Sequence, residues 1–314
     1  MVIAIVANPR ARGRNHFPRL EERLRRTALA HAVFTPDGID ALRRTFRRWR
    51  AGPLPRLVLI AGGDGTLMAS LTAMMAELEP ARRPPLGVLP CGTVGTVARA
   101  WGVAGDPVDW LGRYVERAVR LRPSPCLLVE ARSPTAVRHH YGFIFGAGLV
   151  AEFFRAYYAR GAPGTAGAAR MAARIFLESF YGGSVAREIL NPVPAELFVG
   201  DARQTPSAWS LVCAAVIEDL GLGFRVTYRA SEAAAAQALH LVASPLTAES
   251  LGPRAPRVWL GRSIGGPGHV DQITSSFTLR FTRGGGHFVL DGDLLAAEEV
   301  TVRPGPQFQL ALPD

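Results

Sequence analysis

The sequence predicts two architectures in one chain. The first is an α/β N-terminal nucleotide-binding domain with a parallel sheet. The second is a β-rich, sandwich-like C-terminal domain. Three observations predict them. Apolar runs alternate with helix-like segments through the first third. Two of those runs end in Gly-Thr turns. Beyond Pro123-Ser124-Pro125, short alternating runs separated by Gly and Pro take over. The expected boundaries are 1–122 and 123–314, with a C-terminal segment able to return to the first domain.

The elements follow in order. Val2 to Ala7 is a short apolar run suited to a buried parallel strand. Phe17 to Leu29 is charged and helix-like. Ala32 to Phe34 is a weak strand. An Arg-rich helical stretch begins at Pro36-Asp37 and ends near Gly52-Pro53. Leu57 to Ala61 is a third strand. Leu67 to Leu78 is a helix with Leu67, Leu71, Met74 and Met75 on one face. Leu86 to Leu89 is a fourth strand, and Val94 to Trp101 a short helix. In the second domain the expected strands are Leu127 to Glu130, Tyr141 to Phe145, Glu196 to Val199, Leu211 to Val216, Phe277 to Phe281, Phe288 to Leu290 and Val300 to Val302. Glu152 to Tyr181 reads as two helices around a break at Gly161 to Gly164.

Composition narrows the chemistry. The chain has 314 residues and a net charge of +10, and all its Lys-or-Arg residues are Arg. Without lysine there is no GxxxxGK[ST] loop and no Schiff-base chemistry. Any cationic side chain that meets a phosphate must be Arg. Residues 10 to 50 hold twelve Arg against Glu21, Glu22, Asp37 and Asp40. Such a field attracts anions: nucleotide, nucleic acid or an acidic lipid surface. No nucleic-acid motif accompanies the charge, so nucleic acid is not an expected partner. Cys91, Cys126 and Cys213 are far apart, which argues against a disulfide framework or a zinc site and fits a reducing cytoplasm. The start MVIAIVANPR does not resemble a signal peptide. No stretch is long and apolar enough to span a bilayer, so the expected location is cytoplasmic, with peripheral membrane association.

The segment RLVLIAGGDGTLMASL carries a strand to the carboxyl edge of a sheet. Gly62, Gly63 and Gly65 let the backbone turn tightly and approach a ligand. Thr66 can cap the following helix, whose N-terminal N–H groups suit a phosphate. Asp64 is then a carboxylate beside phosphates, the usual place for one that holds Mg²⁺. An ordinary strand-to-helix turn is the alternative. A second strand-turn-helix, LGVLPCGTVGTVARAWG, supplies Gly92 and Thr93. Asn8-Pro9, after the first strand, reaches the same edge.

With Asn8-Pro9, GGDGT at 62–66, PxGT at 90–93 followed by Ala98-Arg99, and a late Asp291-Gly292-Asp293, the chain resembles the diacylglycerol kinase catalytic family, which includes bacterial lipid kinases and sphingosine and ceramide kinases. The resemblance spans most of the chain. It implies ATP held by Asn8, Thr35, the Gly62–Thr66 turn and Thr93, with a lipid hydroxyl entering between two domains. It also implies a proton acceptor at Asp293. A carboxylate suits that role, because the attacking hydroxyl must lose its proton as it meets the γ-phosphate. From the residues alone, Asp291-Gly292-Asp293 reads first as a hairpin turn between two strands.

Three departures stand out. Gly95 replaces the family's usual Asn, Val150 stands where Asp is common, and the acceptor is Asp rather than Glu. The resulting expectation is an ATP- and Mg²⁺-dependent kinase acting on a membrane lipid at an anionic surface, with Asp293 and Asp64 catalytic. The rivals are an NAD kinase-like enzyme with a soluble substrate and a catalytically weak nucleotide- or lipid-binding homologue. The Arg-rich helices read either as solvated faces or as an anion-binding surface. Phe153, Phe154, Tyr157, Tyr158, Phe176, Phe180 and Tyr181 read either as core or as the wall of an acyl-chain cleft.

Overall fold

The computed structural model describes residues 2–11, 15–26, 30–92, 95–161, 164–282 and 284–314. The chain divides into two compact units, residues 1–126 with 306–314, and residues 127–305.

The first unit runs β1 (Val2–Ala7), α1 (Phe17–Arg25), β2 (Ala30–Phe34), α2 (Ile39–Ala51), β3 (Leu57–Gly62), α3 (Asp64–Glu77), β4 (Leu86–Pro90), α4 (Thr96–Ala100), α5 (Pro107–Glu116) and β5 (Val119–Ser124). The last strand of the chain, Phe308–Pro313, completes its sheet between β4 and β5. Strands β2, β1, β3 and β4 lie side by side and parallel. β3 is buried along its whole length, which is why its sequence is an unbroken apolar run. From β1 the chain steps to β2 on one side and then to β3 on the other. The carboxyl ends of β1 and β3 therefore flank the point where the strand order reverses, the usual ligand crevice of an open α/β sheet.

Helix α2 buries Leu42, Thr45, Phe46 and Trp49, one turn apart, and turns its arginines outward. Edge contacts of Trp49 with Phe34 (5.7 Å) and Phe46 (5.1 Å) pin it beside β2. Helix α3 is buried on nearly all sides, from Leu67 to Met75. Arg47 grips Glu77 at its end through two bonds of 2.8 and 2.9 Å, and these hold the Glu77 carboxyl below its ordinary range. The arginines of α1 and its C-terminal end are ion-paired: Arg19 with Asp106, Arg23 with Glu116, Arg25 with Glu21, and Arg26 with Glu22.

The sequence reading lacks α5 and β5. Asp106 caps α5 by accepting the Val108 N–H (2.7 Å), and Pro107 opens the helix. Strand β5 alternates Arg with apolar residues and is mostly exposed, so its composition hides it.

The final strand pairs with β5 along its length but with β4 at one position only, Leu310 with Leu86. Tyr114 of α5 fills the gap. Its buried hydroxyl accepts the Val88 N–H (3.2 Å) and donates to the Ala311 carbonyl (3.1 Å). Burial pushes this phenol up to about 12.

The second unit contains β6 (Leu127–Arg132), β7 (Val137–Gly142), β8 (Ile144–Gly148), α6 (Leu149–Ala159), α7 (Gly164–Ser179), α8 (Ser184–Ile189), β9 (Val193–Val199), β10 (Ala202–Arg203), β11 (Ala208–Trp209), β12 (Leu211–Ala215), α9 (Ala230–Ala235), β13 (Leu239–Ser244), β14 (Val270–Thr274), β15 (Phe277–Phe281), β16 (Gly286–Leu290), β17 (Asp293–Ala297) and β18 (Glu299–Pro304). One antiparallel sheet has the order β10-β9-β15-β18-β6-β7, with β11 beside β9; the other is β14-β13-β12-β8-β16-β17. Phe145 of β8 joins them, touching Phe277 of β15 (5.5 Å) and Phe288 of β16 (5.6 Å).

Strands β6 and β15 alternate buried and accessible positions, the mark of a sheet with one wet face. Strands β12 and β13 are buried throughout. Their outer face packs on Met171, Ile175, Ala186 and Ile189 of the helices. Double burial removes the alternation, so Ala233 to Ala248 reads only as an uncharged stretch until the fold divides it into α9 and β13. The run expected from Tyr141 to Phe145 is two strands, broken at Phe143. Among the described residues no helix is long and apolar enough to cross a membrane.

Tyr114→Phe keeps the ring and strands two buried backbone groups. We expect a loss of about 1–3 kcal/mol in urea unfolding; an unchanged midpoint would show that the hydroxyl does not hold the last strand.

Candidate active site

Strand β3 ends at Gly62 and α3 begins at Asp64, so Gly63 is the N-cap. This corrects the expectation that Thr66 caps the helix: Thr66 lies inside the first turn. The first intrahelical bond runs from the Leu67 N–H to the Gly63 carbonyl (3.1 Å). The N–H groups of Asp64, Gly65 and Thr66 precede it and point out of the helix end. Thr66 instead accepts a bond from the Asn8 side-chain amide (2.9 Å). Asn8 is itself fixed, donating its backbone N–H to Ala61 and accepting the Arg10 N–H at Oδ1. The carboxyl end of β1 is thus tied to the first turn of α3, with Pro9 directly beyond it. Thr35 is exposed beyond the parallel neighbour β2, on the same edge but one strand further out.

Strand β4 ends at Pro90, followed by buried Cys91, whose thiol burial pushes up to about 12, and Gly92. Thr93 lies outside the described residues. A Cβ built on Gly92 would stand 2.4 Å from the Gly63 Cα. The two glycine turns therefore meet backbone to backbone, and no side chain fits at Gly92.

Asp64 reaches across that contact. Its carboxylate accepts the N–H groups of Thr96 (2.7 Å) and Val97 (3.2 Å), the first turn of α4. Burial raises its pKa, while these bonds and the Arg99 charge work against the rise. Asp64 is a side-chain cap for a helix 32 residues further on. The turns, with Arg99, Val103 and Gly105, line a cavity of about 120 Å³. Arg99 was not anticipated as a site residue. Its sequence signals are its place behind the PxGT turn and its being the lone cation of α4.

Gly95, in the position of the family's Asn, precedes α4 with φ 60° and ψ 46°. Asn is the next residue after Gly to tolerate that left-handed conformation. The replacement therefore keeps the backbone and removes only an amide. Val150 packs against Gly146 and the helix-side core, where it supplies no carboxylate.

In the second unit, Asp291 (φ 50°) and Gly292 (φ 90°) form the two-residue turn between β16 and β17, closed by the Leu290–Asp293 pair. The hairpin reading of Asp291-Gly292 is thus realised. Asp291 is buried, and its carboxylate accepts the N–H groups of Phe143 (3.0 Å) and Ile144 (2.8 Å), which breaks the strand there. Asp293 opens β17 with its side chain accessible to water, yet the protein around it is dense enough to raise its carboxyl pKa by desolvation. The Tyr158 hydroxyl of α6 donates to the Gly292 carbonyl (2.6 Å); burial, and secondarily the Asp293 charge, raise its pKa. Among the described residues no group of three or more His, Cys, Asp or Glu side chains could hold a metal ion.

Two fused glycine turns thus shape a crevice at the carboxyl edge of the sheet, where the strand order reverses. Residues 2–121 match the diacylglycerol kinase catalytic domain. Similar solved structures come from Bacillus anthracis str. Sterne. A proposed diacylglycerol kinase superposes with a TM-score of 0.67 at 16% identity, covering 99% of this chain and 96% of its own. A diacylglycerol kinase gives 0.60 at 14% identity over 99% and 96%. A second proposed diacylglycerol kinase gives 0.60 at 18% over 98% and 95%. At these identities the likeness establishes the fold. No curated protein matches the sequence.

Two glycine variants separate backbone from side-chain demands. Gly92→Ala should lose several kcal/mol, on the order of a severe core clash, because its Cβ meets backbone. Gly95→Asn, whose Cβ would find nothing closer than 4.0 Å, should melt within a few degrees of the parent protein. Thermal unfolding of both checks this; equal effects would refute the assigned geometry.

Proposed function

We propose that this protein is an ATP-dependent lipid kinase. It transfers the γ-phosphate to a hydroxyl of a membrane lipid of the diacylglycerol, ceramide or sphingoid type. The observation that carries this reading is the fused pair of glycine turns at the reversal of strand order, inside a domain that matches the diacylglycerol kinase family.

In this reading the N–H groups of Asp64, Gly65 and Thr66 at the start of α3 bind phosphate oxygens. Asn8, Pro9, Thr35, Gly62, Gly63, Gly92 and Thr93 complete the nucleotide site. Arg99 supplies the positive charge that lysine supplies elsewhere. A single carboxylate fits a magnesium ion that arrives with phosphate oxygens and water better than a resident metal. Asp64 would hold that ion, which would neutralise charge on the transferred group. Asp293 takes the proton of the lipid hydroxyl as its oxygen bonds to the γ-phosphorus. The bond from that phosphorus to the leaving ADP oxygen then breaks.

One observation favours a second reading, a nucleotide- or lipid-binding homologue with weak turnover. Asp64 already spends its carboxylate on α4, and Gly95 offers no side chain.

The test is transfer of labelled phosphate from ATP to diacylglycerol, ceramide and sphingosine side by side. Product on one of these lipids supports the kinase; tight ATP binding with no product on any supports the second reading. Asp293→Asn should lower kcat by about 10²–10⁴-fold, the usual worth of a general base. Because the folded protein raises the Asp293 pKa, the carboxylate form is lost above the ordinary Asp range as pH falls. The acid limb of the rate profile should therefore lie higher than for a free aspartate. An unchanged rate in the variant would remove Asp293 from the role.

A further inference from the structure

The second unit carries an apolar surface that its own core does not use. Near the end of α7, Leu177 (61% exposed), Phe180 (54%) and Tyr181 (71%) stand out from the surface. So do Leu222, Trp259 and Leu260, the last at 64%. They form one surface rather than scattered residues. Phe176 touches both Phe180 (5.0 Å) and Trp259 (5.6 Å), and Trp259 stacks on Phe224 (5.3 Å). Three chain segments therefore present a continuous row of aromatic and aliphatic side chains. Exposed apolar patches of this kind mark interaction sites.

The charges beside the row are positive. Arg257 and Arg262 bracket Trp259 and Leu260. Neither forms an ion pair among the described residues; Arg257 donates only to the Ser263 carbonyl (2.7 Å). Most nearby acids are already engaged. Glu218 holds Arg225 (2.6 Å), buried Glu178 holds Arg174 (2.7 Å), and Glu249 pairs with Arg187 (3.4 Å). Asp219 accepts the Gly221 N–H (2.8 Å) within its own turn.

We infer that this surface is where the protein seats itself on an anionic lipid bilayer. Trp, Tyr and Phe favour the boundary between headgroups and acyl chains, and arginines beside them meet anionic headgroups. A second copy of the chain fits less well, because a two-fold contact would press one positively charged patch onto another. The Arg-rich helices α1 and α2 are weaker candidates: the arginines of α1 are already paired within the first unit, and α2, where Arg47 alone has an ion pair among the described residues, keeps its aromatic residues Phe46 and Trp49 buried. The inference adds a docking face to the lipid-kinase reading without depending on nucleotide chemistry.

The experiment is co-sedimentation of the full chain with phosphatidylglycerol-containing vesicles and with pure phosphatidylcholine vesicles, without nucleotide. The protein should bind the anionic vesicles and release with rising salt. Two variants locate the surface. Leu177→Ser/Phe180→Ser/Leu260→Ser removes exposed apolar groups, and Arg257→Glu/Arg262→Glu reverses the charge. Each should weaken binding about tenfold or more, as expected for losing apolar or electrostatic anchors, with melting temperature unchanged. Vesicle binding equal to the parent in both variants would overturn the inference. So would a parent that ignores anionic vesicles, or an apolar variant that only converts a dimer to a monomer. Binding without phosphate transfer to any lipid would uphold this surface while sinking the kinase reading, so the two fail separately.

Discussion

Asp64 joins two turns that the sequence places 30 residues apart. Its buried carboxylate takes the first N–H groups of α4, and beneath that bond the Gly63 and Gly92 backbones touch. If the bond is lost, α4 loses its cap; if Gly92 gains a side chain, its Cβ meets the Gly63 backbone and the turns must separate. The cavity is bounded by the same residues, so its shape rests on this contact. Desolvating a carboxylate is costly, and here backbone N–H groups and the Arg99 charge offset part of that cost.

The second unit repeats the device. Asp291, also buried, accepts the N–H groups of Phe143 and Ile144, and so fixes the hairpin that presents Asp293. In both acidic motifs one carboxylate holds the backbone of a neighbouring segment. In the DGD motif this leaves the outer acid accessible. In the GGDGT motif the only acid is the one engaged.

The aromatic residues of the α6–α7 region part three ways, and none of these was separable from spacing. Phe153 and Tyr157 pack on the helix-side core. Phe154 and Tyr158 lie over the DGD hairpin. Phe176, Phe180 and Tyr181 belong to the exposed row. Helical spacing says which residues share a face; what that face meets depends on elements far away in the chain.

By itself the sequence determined the parallel strands of the first unit, since unbroken apolar runs mean burial on both faces. It also pointed to the two glycine turns, because glycine leaves room for a close backbone approach such as that of Gly92 to Gly63. It pointed to the family through the combination of those turns with the late acidic motif. It did not reveal β5, whose arginines mask its alternation, or β13, whose double burial erases it. Only the tertiary structure decided that Gly63 rather than Thr66 caps α3, that Asp64 serves α4, and that Gly95 keeps the conformation an Asn would adopt. These outcomes depend on contacts between segments distant in sequence, whereas periodicity and turn chemistry are local.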